Sequence, residues 1–109
     1  MTYAVFVQQG AAIDYKPDVD LPAGSVVVQG DLVGITKHDI KAGQLGAVSV
    51  EGVFEVTKDP TASISAGAKL YWDATNNQAV TVATGNKLLG KAIESAGVNV
   101  TSVRLRLSQ

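Results

Sequence analysis

The sequence predicts an all-β fold, a small antiparallel β-barrel or sandwich with at most one or two short helical turns. Three observations point there. Sixteen of the 109 residues are valine, whose branched Cβ suits a pleated surface and loses rotamer freedom in a helix. Turn residues recur at short intervals, eleven of them glycine, as in small β-barrels and sandwiches. The chain also closes on a period-two run, in which Val103, Leu105 and Leu107 alternate with Ser102, Arg104 and Arg106.

In chain order, Tyr3–Gln8 reads as a first strand and Ser25–Gln29 as a second. Leu32–Thr36 follows across Gly30-Asp31, a tight connection. Gly46–Lys58 is the longest candidate; its alternation through Val48, Val50, Val53, Phe54 and Val56 breaks at Gly52, the mark of a bulge or sharp bend. Pro60–Ala66 fits a short turn of helix, since proline suits a helix start. Lys69–Asp73 and Ala79–Ala83 flank Thr75-Asn76-Asn77-Gln78, a hairpin with an Asn-led turn. Leu88–Glu94 fits either a strand or one helical turn. Val98–Leu107 is the last strand.

Ala-Gly recurs at Ala23-Gly24, Ala42-Gly43, Ala66-Gly67 and Ala96-Gly97, each ahead of a strand candidate. Three copies are preceded by Leu21, Ile40 or Ile64. The uneven spacing is not that of a solenoid. A recurring turn explains the motif, with glycine at positive φ and the preceding Leu or Ile plugging into the core.

Composition excludes several functions. A chain of this length forms one domain, residues 1–109, with enough core to need no staples. Without cysteine there is no disulfide framework, thiolate metal site or cysteine nucleophile, and one histidine forbids a His-pair metal site. A net charge of −1 with 17% charged residues does not suit nucleic-acid binding, which needs clustered Lys and Arg. No apolar run approaches the ~20 residues of a membrane helix, and Met1–Phe6 lacks the basic stretch that opens a secretory leader.

The chemical motifs fail one by one. Gly85-Asn86-Lys87-Leu88-Leu89-Gly90-Lys91 fits the phosphate-loop spacing, but Ala92 stands where a hydroxyl must hold magnesium, and no long helix follows. The alternative is a strand entered through Gly85-Asn86 with a bend at Gly90. His38, beside Asp39, reads as an exposed turn residue without a nucleophile elbow. Asp14, Asp18 and Asp20 lack the rest of a calcium loop and read as a solvated connector. Glu51 and Glu55 lie about 13 Å apart along a strand, too far for a glycosidase pair. No catalytic, cofactor-binding or metal-binding residue is assigned.

Candidate interface residues remain. Arg104 and Arg106 share one face of the last strand, either as a polar outer face or as a basic stripe for an acidic partner. Tyr71 and Trp72 face opposite ways, so one packs inward. Residues 1–9 are β-prone and read as an N-terminal arm or edge strand, with Tyr3, Val5 and Val7 available for main-chain pairing with a partner sheet.

The order of blocks resembles a family of small bacteriophage head-decoration, or capsid cement, proteins. The blocks are Val7-Gln8-Gln9-Gly10; Gly30-Asp31-Leu32-Val33-Gly34-Ile35; Ile40-Lys41-Ala42-Gly43; Glu51-Gly52-Val53-Phe54-Glu55-Val56; Ile64 through Asp73; Thr84 through Ala92; and Val103-Arg104-Leu105-Arg106-Leu107. The resemblance spans essentially the whole chain. It implies a β-barrel-like protein on the outer surface of the virion capsid, made in the host cytoplasm and non-enzymatic. It further implies a homotrimer that binds the major capsid protein and stabilises the shell, with no cofactor, nucleic acid or membrane. A small ligand- or carbohydrate-binding β-barrel, or a tail-associated adhesion module, is the alternative; exposed aromatics would support it, but only six aromatic side chains exist and several must fill the core.

Overall fold

A computed structural model describes residues 10–107. Nine strands form two antiparallel sheets, and no helix occurs among the described residues. The first sheet has the order β1-β4-β3-β2 and is built from β1 (Ala12–Tyr15), β2 (Val26–Gln29), β3 (Leu32–Thr36) and β4 (Gly46–Ser49). The second has the order β5-β9-β8-β6-β7. Its strands are β5 (Gly52–Thr57), β6 (Lys69–Asp73), β7 (Gln78–Val80), β8 (Lys87–Ala92) and β9 (Ser102–Leu107). The architecture is sandwich-like.

Most expected strands stand where the sequence places them, and Leu88–Glu94 is strand β8. The differences have local causes. β1 escapes the pattern because its four residues carry little alternation; pairing with β4 (Ile13 opposite Val48) makes it a strand. That places Asp14 in a sheet edge rather than in a connector. Gly46–Lys58 divides into β4 and β5, which belong to different sheets, and Gly52 at φ 123° is the corner. Pro60–Ala66 is not helical: Asp59 caps a tight turn by accepting from the Thr61 amide, and Ile64 bridges to Ala96. The strand Tyr3–Gln8, with Tyr3, Val5 and Val7, lies outside the described residues.

The core follows from this layout. Val33 and Ile35 of the first sheet pack on Val56, Leu70, Trp72, Val103, Leu105 and Leu107 of the second. On the other face of the first sheet, Val27, Ile40 and Val48 form a smaller cluster with Tyr15 and Leu21. Gly34 and Gly90 are required by close approach, since a Cβ would meet the Val48 side chain in the first case and the Arg106 carbonyl in the second.

The two sheets are copies of one plan. Leu21 and Ile40 exchange both backbone hydrogen bonds at 2.8 Å; Ile64 and Ala96 do the same at 2.8 and 2.9 Å. Gly24 donates to the Thr36 carbonyl as Gly67 donates to Ala92, both at 2.7 Å. Gly43 donates to Pro17 as Asn99 donates to Pro60, and both donors hold left-handed φ, 78° and 73°. A side-chain tie recurs too: the Ala23 amide meets Asp39 Oδ1, and the Ala66 amide meets Ser95 Oγ. Strand pairing agrees, with Val26 opposite Ile35 and Val27 opposite Gly34 matched by Lys69 opposite Lys91 and Leu70 opposite Gly90. β7 and its turns are an insertion between the second copies of β2 and β3.

The Ala-Gly motif is the visible trace of this duplication. Gly24, Gly43 and Gly67 hold positive φ as expected, and Ile40 and Ile64 are buried. At the fourth copy Asn99, not Gly97, takes the left-handed position. The spacing is uneven because neighbouring copies of the motif are not equivalents: Leu21 corresponds to Ile64, and Ile40 to Ala96.

Candidate interaction surfaces

The side chains singled out for chemistry are dispersed. His38 is an exposed turn residue. Asp20 and Asp39 hold loop amides, Ala42 and Ala23 respectively, each at 2.8 Å. No group of His, Asp and Glu able to hold a metal ion occurs among the described residues. The phosphate-loop spacing at Gly85–Lys91 belongs to a turn and to strand β8. There Asn86 donates to the Val82 carbonyl, Lys87 pairs with Asp31 at 2.6 Å, and Leu89 is buried. At Gly90 the β6–β8 register shifts, with Leu70 opposite Gly90 and Tyr71 opposite Leu88, and the same glycine allows the close contact with β9.

A groove of about 350 Å³ lies between the sheets, lined by Val26, Ile35, Phe54, Val56 and Trp72. The Thr36 hydroxyl on its wall already donates to the Pro22 carbonyl and accepts from the Ser25 amide, both at 2.9 Å. Trp72 is the inward member of its pair, 8% exposed, and Tyr15, Phe54 and Tyr71 are half-buried. Among the described residues no aromatic ring is fully exposed.

Three carboxylates sit below the ordinary Asp range for local reasons. A hydrogen bond and the charge of Lys87 lower Asp31; amide and hydroxyl donors of Thr61 lower Asp59; the side chain and amide of Asn76 lower Asp73. A lowered folded-state pKa stabilises above the unfolded value and is lost as pH falls through the folded one. Thermal stability of the wild type is therefore expected to fall below about pH 4, with a shallower acid slope in Asp73→Asn. Equal slopes for the two proteins would overturn that assignment.

The exposed face of the second sheet holds the remaining candidates. Arg104 and Arg106 lie on it together, as the alternation of β9 requires. Register places Arg104 opposite Glu55 on β5, and its Nε lies 3.7 Å from Glu55 and 3.9 Å from Glu94. These pairs are more than half exposed and contribute little to stability. Arg106 stands opposite Val53 on one side and Lys91 on the other, and Lys91 in turn opposite Lys69. Lys69 and Lys91 gave no signal as interface residues in the sequence, because only the pairing of β6, β8 and β9 brings them into line with Arg106.

An all-β body of two copied sheets, closed around an apolar core and presenting a charged outer face, defines a structural binding module. The family model described as phage cement protein matches residues 7–107. The chain belongs to the phage cement protein family, and its role is structural, capsid-associated and non-enzymatic. No curated protein and no solved structure matches the chain.

Proposed function

We propose that the protein, made in the host cytoplasm, decorates the outside of the assembled head as a homotrimer. There it binds the major capsid protein and stabilises the shell. The observation that carries this is the family match across residues 7–107. Residues 1–9 serve as an arm, with Tyr3, Val5 and Val7 adding to a neighbouring sheet through main-chain pairing, while Arg104 and Arg106 belong to a contact face. A trimer would close by a heterologous interface, and many copies per shell would convert weak contacts into avidity.

Mixing the protein with undecorated phage heads and pelleting them tests the reading. Stoichiometric co-sedimentation is expected, and deletion of residues 1–9 should reduce it. A wild-type protein that stays in the supernatant would refute capsid binding. Light scattering of the free and the shell-bound protein tests the trimer.

A further inference from the structure

We infer that the cross-strand row Lys69–Lys91–Arg106 docks on a carboxylate-bearing protein surface of the shell, an inference that rests on the capsid-binding reading above. Antiparallel pairing sets the three cations directly opposite one another on β6, β8 and β9, at about 4.8 Å per strand. All three are exposed, and no side-chain hydrogen bond or ion pair joins them to another of the described residues. Like charges directly opposite on a sheet face destabilise it. On the next row of the same face Arg104 has two carboxylates beside it, whereas this row has none among the described residues.

The duplication shows what the row is for geometrically. Val26 and Ile35 occupy in the first sheet the places that Lys69 and Lys91 occupy in the second, and Ser49, opposite Ile35, stands where Arg106 stands. In the first sheet that row faces the other sheet, with Ile35 buried and Val26 packed against the shared core. The same row is therefore already a sheet-docking row in one copy. In the second copy it is turned outward and is cationic. A neighbour that fits it must be acidic, with carboxylates spaced along a strand pair or loop. Such complementarity steers encounter and fixes register.

The test is sedimentation with undecorated heads at rising salt, for the wild type, Lys91→Glu/Arg106→Glu, the milder Lys91→Gln/Arg106→Gln, and Lys37→Glu as an exposed cation elsewhere. Wild-type binding should fall with salt. The charge-reversed pair should bind at least about tenfold more weakly, the neutral pair should be intermediate, and Lys37→Glu should match the wild type. The oligomeric state by light scattering should not change. Wild-type-like binding by the reversed pair would overturn the inference and leave capsid binding intact. Loss of the oligomer in step with binding would overturn it too, making the row a subunit contact. Equal affinity of the wild type for a short DNA duplex would assign the row to polyanions in general. A wild type that fails to bind heads refutes the capsid reading, and this inference with it.

Discussion

Gly90→Ala is expected to destabilise the protein by about 3 kcal/mol and to lower Tm by about 15 °C. The added methyl would lie against the Arg106 carbonyl, with the Arg106 carbonyl carbon and Leu107 Cα also within reach at 2.9 and 3.1 Å. Those are backbone atoms of the central pair β8–β9, so no side-chain rotation relieves the overlap. The strands must part, and Leu70, Leu105 and Leu107, all fully buried, lose contacts together. Gly34→Ala in the first sheet meets mainly the Val48 side chain, which can rotate, and should cost less. Urea unfolding of both variants checks the order; a Gly90→Ala protein within 1 kcal/mol of the wild type would show that the close approach is not needed.

Lys58→Met should cost about 3 kcal/mol as well. Lys58 is 1% exposed, and its ammonium donates to the carbonyls of Asp59, Gly97 and Val100 at 2.9, 3.1 and 2.9 Å. Met keeps the length and apolar stem but removes the donors, leaving buried carbonyls without their charged partner. Arg would not substitute well, because a planar fork does not fit a site shaped for a compact three-way donor. Hydrogen exchange should show the 97–100 turn opening well before the sheets do. Uniform protection in Lys58→Met, with unchanged urea stability, would contradict this role.

The sequence was most legible where a pattern is local. The alternation of β9, the two-residue turn at Gly30-Asp31, the Asn77 turn at φ 54° and the bend at Gly52 all rest on neighbouring residues. What escaped depends on distant partners. β1 exists through β4, β8 is a strand because β6 and β9 flank it, and Lys58 is buried by loops far along the chain. The duplication was half visible: the Ala-Gly motif marks it, but residues such as Asn99 for Gly43 and Ala96 for Ile40 keep the backbone role while losing the letters. On the exposed face, Arg104 and Arg106 were found by periodicity. Their difference in environment, one held by Glu55 and Glu94 and the other beside Lys91, needed the register.

The corner at Gly52 has a mechanical consequence for a protein that reinforces a shell. β4 runs into β5 through Val50 and Glu51, so one stretch of chain is hydrogen-bonded into both sheets. Force applied at the β1 edge passes through the β1–β4 ladder, along this covalent segment, and into the β5–β9 ladder that carries Arg106. Tension at the edge of the first sheet is thus delivered to the second along a single strand, as a tie rod joins two plates.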